Sequence, residues 1–263
     1  MRLLVLAVFS AASLAAQPDV LELARRSMAT VKANRAKTQQ YAYRERRVNT
    51  DRDKNGKETD RETRTSEIIG LEGSSYRKLV MKNDQPLSPR EQRQEEEKLR
   101  KEQQIRKEEN SGKRPRRVFS LSYSFFLPYD KLIDIYDLQY GGEGEIADRP
   151  AYVVKLTPKP AFHPATDDEK EALNYAMKMW LDRADCFPVR IEGEVTGEHS
   201  RLARGSRFRV EDARPDGDAW LPSVIEFQYS ARVAKLFTAR GEATTTFSDY
   251  RRFQVDSNLK VIE

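Results

Sequence analysis

Ile225-Glu226-Phe227-Gln228-Tyr229-Ser230-Ala231-Arg232-Val233 changes polarity at every residue. Side chains on a β-strand point alternately to its two faces. This stretch therefore reads as a strand with Ile225, Phe227, Tyr229, Ala231 and Val233 on an apolar face and Glu226, Gln228, Ser230 and Arg232 on a wet one. The same period recurs upstream. Tyr175, Met177, Met179 and Leu181 share a face, with Lys178 on the other. Beyond the turn at Asp182-Arg183-Ala184-Asp185, Val189, Ile191, Gly193 and Val195 share the next. Phe208 and Val210 follow, then Ala243, Thr245 and Phe247, and finally Phe253 and Val255. One apolar face, one wet face and short turns predict an antiparallel meander.

Working back toward the N-terminus, Ala151–Leu156 predicts another strand, followed by a loop punctuated by Pro158, Pro160 and Pro164. Asp134–Tyr140 predicts one more, closed by Gly141-Gly142. Phe119–Phe125 alternates apolar residues with serine and also reads as a strand. Gln40–Val48 and a stretch ending at Ile68-Ile69 predict a hairpin around Asp53-Lys54-Asn55-Gly56. Leu71-Glu72-Gly73 turns the chain into a third strand, Tyr76–Met81.

Helices are predicted twice. From Asp19 to about Lys37, Val20, Ala24, Met28 and Val31 fall on one face, with Asp19 as cap and Glu22 completing a capping box. The second helix starts at Ser88-Pro89-Arg90-Glu91, where Ser88 caps and Pro89 takes the first helical position. It runs to about Asn110 with only Leu99 and Ile105 as aliphatic residues. Its support is expected from the pairs Glu96–Arg100, Glu97–Lys101 and Glu102–Arg106, each contributing roughly 0.2–0.5 kcal/mol. With almost nothing to bury, it should project into water or lie across an opening. Lys113–Arg117 follows as a basic linker.

Residues 1–16 read as a secretion signal. Met1-Arg2 is the basic start, Leu3–Ala12 the apolar stretch, and Ser13–Ala16 the small residues before cleavage after about Ala15 or Ala16. The apolar stretch is about half the ~20 residues of a spanning helix, so the expected product is periplasmic, with no permanent membrane anchor. The formal charge is +5 for the chain and +4 once Arg2 is removed with the signal. In an exported protein that favours a solvated basic surface or an anionic envelope partner over nucleic acid. The single cysteine, Cys186, cannot form an internal disulfide, so residues 17–263 must rest on their core. They are expected to make one domain, with a helical insertion at about 88–117.

Enzyme chemistry is hard to assemble from these residues. His163 and His199 are the only histidines, and neither has a nearby His or Cys with which to hold a metal. Cys186 lacks a local base, and Gly205-Ser206 lacks the second glycine of a nucleophile elbow. Gly141-Gly142-Glu143-Gly144 opens no helix that could cradle phosphate. No catalytic residue, metal or cofactor is therefore expected.

The chain resembles the LolA-like superfamily of periplasmic outer-membrane lipoprotein-sorting proteins, within an uncharacterised exported branch. The resemblance rests on Arg149–Leu156 leading into Pro158-Lys159-Pro160, and on Trp180-Leu181-Asp182 followed by Phe187-Pro188-Val189-Arg190-Ile191. It rests also on a signal and a helix preceding a long meander. The fold it implies is mainly β with added helices (α+β), a curved and incompletely closed antiparallel half-barrel whose concave side is helix-covered and holds acyl chains. The charged helix at Ser88–Asn110 departs from the simple carriers.

The function so implied is a non-enzymatic carrier for acyl chains or lipoprotein lipid, its partner being a lipid or an acylated protein. Candidates for the cavity wall are Tyr175, Met177, Met179, Leu181, Ile191, Val195, Ile225, Phe227 and Tyr229, which could equally form a packed sheet-on-helix core. The alternative is a regulatory module that docks an envelope membrane protein through its charged helix.

Overall fold

A computed structural model describes residues 17–115, 128–197, 202–233 and 237–252. The Phe119–Phe125 stretch, the signal, His199, Phe253 and Val255 lie outside the described residues. Eleven strands form one antiparallel sheet in the order β4-β3-β2-β1-β11-β10-β9-β8-β7-β6-β5. From β5 (Tyr136–Ile146) the chain meanders through β6 (Arg149–Pro158), β7 (Tyr175–Asp182), β8 (Pro188–Val195), β9 (Arg207–Ala213), β10 (Leu221–Val233) and β11 (Phe237–Arg252). The N-terminal strands β1 (Tyr41–Arg52), β2 (Glu58–Leu71), β3 (Ser74–Lys82) and β4 (Gln85–Pro86) join it because β1 pairs with β11 from Tyr41↔Arg252 to Arg52↔Arg240. β4 and β5 are not paired with each other, so the sheet is an open, curved half-barrel.

The first helix, α1 (Val20–Thr38), is capped by Asp19, whose side chain accepts from the Leu21 amide. Its buried line is rotated from the expected one: Leu23, Ala24, Ser27 and Asn34 are buried, while Val20, Met28 and Val31 are only partly so. The rotation has a polar cause. Asn34 donates to the Trp220 carbonyl (2.8 Å) and accepts from the Trp220 amide (2.9 Å), as a neighbouring strand would. Thr30 adds a bond to the Asp185 carbonyl at 2.7 Å. Period alone cannot see that an amide will be needed on the buried face.

Two short helices were not legible as such. Asp134 was expected in a strand, but Leu132–Ile135 forms α3 after a 3-10 turn at Tyr129–Lys131. Tyr129, Leu132 and Ile135 recur every third residue and are all buried, which is helical rather than strand spacing. α4 (Asp167–Ala172) interrupts the proline loop, capped by Thr166. Gly141-Gly142 does not end β5 but makes a bulge inside it, with Gly142 at φ 101°. Tight turns at Glu72-Gly73, Asn83-Asp84 and Ala147-Asp148 each place two residues at positive φ, the geometry that matches strand twist.

The charged helix α2 (Pro89–Asn110) has the predicted capping box at Ser88 and Glu91. Two of its expected pairs form, Glu97–Lys101 at 2.6 Å and Glu102–Arg106 at 2.7 Å. It does not simply project into water, because it docks through polar groups. Buried Arg106 donates to the carbonyls of Leu71, Ser74 and Ser75 and to the Ser74 hydroxyl, and lies over the Tyr76 ring. The end of the β2–β3 hairpin presents backbone carbonyls to the helix, and a guanidinium supplies several donors in one fork.

Arg106→Ala removes those bonds while leaving the sheet intact. We expect a loss of about 1–3 kcal/mol, confined to the attachment of α2. Hydrogen exchange should speed up in residues 99–110 and stay slow in β6–β8; equal protection of α2 in both proteins would show that Arg106 does not anchor it.

Candidate functional site

Registers across the sheet bring all nine candidate cavity residues to one face. One cross-strand row is Val154–Met179–Ile191–Val210–Ile225, and the next is Leu156–Met177–Gly193–Phe208–Phe227–Ala243. Tyr175 stands opposite Val195, Leu181 opposite Pro188, and Tyr229 opposite Gly241. The intervening residues form the other face: Lys155, Lys178, Glu192, Arg209 and Glu226 run directly across five strands. A groove of about 650 Å³ lies along that charged row. There Arg209 bridges Glu211 (3.3 Å) and Glu226 (2.8 Å).

The helix-covered face divides into two regions. Under α1, α3 and α4, Tyr175, Met179, Leu181 and Val195 have no exposure, and Met177 has 6%. The Tyr129 hydroxyl donates to the Met179 sulfur at 3.4 Å, and the Tyr136 hydroxyl to the Ala172 carbonyl at 2.5 Å. These residues are packed core. Further along, Ile191, Ile225, Phe227 and Tyr229 are only half-buried. Phe208 connects the regions. It meets Tyr175 edge-on at 5.7 Å and stacks on Phe227 at 6.4 Å, and Phe227 meets Tyr229 at 6.4 Å. Gly193 makes room for the Phe208 ring, since a Cβ there would lie 2.3 Å from ring carbons. Gly241 does the same for Tyr229, whose hydroxyl reaches Asp51 at 3.0 Å.

One residue of β9 on this face breaks that strand's polarity pattern, and sequence reasoning missed it. Asp212 follows Phe208 and Val210 at strand spacing and so points with them. It is half-buried and has no hydrogen-bond or ion-pair partner among the described residues. Burial pushes its carboxyl up to about 7. Tyr43, Tyr129 and Tyr250 lie within electrostatic reach of it. The only available signal was a carboxylate at an apolar position of an alternating strand.

Cys186 is fully buried, and burial pushes its thiol up, so it carries little thiolate. Among the described residues no three His, Cys, Asp or Glu side chains converge as metal ligands, and no helix is long and apolar enough to cross a membrane.

No protein-family model and no curated protein matches the chain. Among solved structures it is similar to a Vibrio parahaemolyticus domain named for outer membrane lipoprotein sorting, at 12% identity and TM-score 0.40, covering 87% of this chain and 93% of that one. It is similar to a LolA superfamily protein from Nitrosomonas europaea at 11% identity and TM-score 0.35, covering 92% and 96%. It is also similar to the Pseudomonas aeruginosa MucA/MucB complex structure at 12% identity and TM-score 0.27, covering 90% and 100%.

Two measurements test this geometry. The Cys186 thiol should resist a disulfide reagent in the native protein and react at once after denaturation; fast native labelling would place it at the surface. Asp212 supplies a pH test. Its folded carboxyl lies above its unfolded value, so folding takes up a proton, and stability falls as pH rises from about 4 to about 7. Asp212→Asn should remove that loss and raise the melting temperature above neutrality, by roughly 2–4 °C per kcal/mol relieved. An unchanged pH–stability profile would mean that Asp212 is solvated.

Proposed function

We propose that the mature chain is an exported, non-enzymatic binding protein that carries an acyl chain on the helix-covered face of the half-barrel. The observation that carries this reading is the division of that face. A sheet that only needed a core would bury its apolar side chains alike, yet Ile225, Phe227 and Tyr229 are half-buried and continuous with a dry core. A flexible chain laid over them gains roughly 0.8 kcal/mol per methylene removed from water. The signal read from residues 1–16 supports a periplasmic location, where lipid or acylated protein is available as cargo.

The reading also sorts the nine candidates. Ile191, Ile225, Phe227 and Tyr229 are positioned to touch cargo, with Met177 at the boundary. Tyr175, Met179, Leu181 and Val195 support the face from within the core. Release of cargo then needs only the half-buried region to be disturbed.

Phe227→Ser should therefore leave a folded protein that takes up a fluorescent fatty acid about 10-fold or more weakly, the loss of one aromatic contact surface of roughly 1.5–3 kcal/mol. Met179→Arg should fail to fold, because it buries an unpaired charge at a cost of several kcal/mol. Circular dichroism and melting curves separate the two cases. No uptake by the wild-type protein would overturn the carrier reading and favour a module that docks a membrane-protein partner through α2. Full uptake by folded Phe227→Ser would move the cargo site away from β10.

A further inference from the structure

An acyl carrier has to place a polar head as well as a tail, and the half-buried strip leads to a specific group. Val210 and Ile225 face each other across β9 and β10, and Asp212 is the next inward residue on β9, opposite Pro222. Tyr43 and Tyr250 approach within 5.8 Å of one another, and Tyr43 meets Phe247 edge-on at the same distance. Tyr43 and Tyr250 are half-buried, whereas Tyr129, in the 3-10 turn before α3, is buried. The Tyr250 hydroxyl is held by the Pro222 carbonyl and that of Tyr129 by the Met179 sulfur. Their rings are thus fixed as walls rather than left to bond Asp212.

Resting on the carrier reading, we infer that Asp212, walled by Tyr43, Tyr129 and Tyr250, is a receptor for the ammonium head of an amphiphile whose tail lies along Ile225 and Phe227. The chemistry is that of an aromatic cage with an anionic floor. Ring faces attract a cation, and the carboxylate neutralises it in a place where water is scarce. An anionic head is excluded by the same carboxylate. Among the described residues the cation that reaches Tyr43, Arg77, is committed to buried Glu45 at 2.9 Å. Among the described residues the titratable groups within electrostatic reach of Asp212 are Tyr43 from β1, Tyr250 from β11 and Tyr129 from the turn before α3, while Glu45 and Arg77 act on Tyr43. Burial raises all three phenols, with Tyr43 at about 12, so they stay neutral while the carboxyl titrates. A bound cation would hold that carboxyl ionised at pH values where the empty site takes up a proton.

The experiment compares two probes of equal chain length, dodecyltrimethylammonium and laurate, by calorimetric titration of the mature protein across neutral pH. The ammonium probe is expected to bind at least ~10-fold more tightly at about pH 8, and the preference to shrink as the carboxyl protonates below about pH 6. Asp212→Asn should weaken the ammonium probe and tighten laurate, so that the preference disappears. The wild-type pH series keeps the test decisive even where the variant melts early. Equal binding of the two probes, or a preference that Asp212→Asn leaves in place, overturns the inference while leaving the carrier reading standing. Binding of neither probe overturns both. Lysophosphatidylethanolamine, run alongside, separates the sources: if it follows the alkylammonium, an aminolipid head supplies the cation, and if it follows laurate, a simple amine does.

Discussion

The pairing of β1 with β11 is the constraint on which the rest depends. It joins the N-terminal strands to the meander over a register of about a dozen residues, and without it the chain would be two smaller sheets, each with an uncovered edge. Because α1 is tied to β1 by only Gln39 and Gln40, the pairing also delivers α1 to the apolar face. Asn34 then locks the helix to Trp220 across 186 residues of sequence. Contacts of such separation carry a loop-closure cost that grows slowly with length. They also slow folding, since little is gained until both ends have met.

From that pairing follows a sheet whose strands β6–β10 have one wet and one apolar face, and the described helices do not cover the second evenly. Where α1, α3 and α4 lie, the side chains interdigitate and exclude solvent. Where they do not, the same alternation leaves Ile225, Phe227 and Tyr229 partly open. The wet face needs no cover because its cross-strand neighbours are mostly of opposite charge, as Glu192–Arg209–Glu226 illustrates. Asp212 departs from this partition on β9, as buried Glu45 does on β1. A carboxylate at an apolar position raises the free energy of the folded state, and such local inconsistencies concentrate where a protein meets its ligand.

The helix α2 shows a different solution to docking. It has no apolar stripe, so it attaches through buried Arg106 and through Gln103 and Asn110, which bond Glu72. A charged helix can be fixed to a sheet when a guanidinium reaches the carbonyls at the end of a hairpin. The attachment leaves most of its charged surface in water, as its composition demands.

The amino-acid sequence determined the element types wherever a local period was strong. The alternation from Tyr175 to Phe247, the capping box at Ser88 and the Asp53–Gly56 turn were legible because each depends on neighbours within four residues. The shared face of the nine apolar candidates was legible for the same reason, since strand pleating fixes it residue by residue. Tertiary structure alone decided the partnership of β1 with β11, the rotation of α1 toward Asn34, the anchoring of Arg106 and the setting of Asp212. It also decided that Met179 is packed core while Phe227, on the same face, is half-open. Each of these depends on which distant segment arrives opposite a given side chain. Period and propensity describe one strand or helix at a time, and only the register between segments determines which group is buried, which is paired and which is left to meet a ligand.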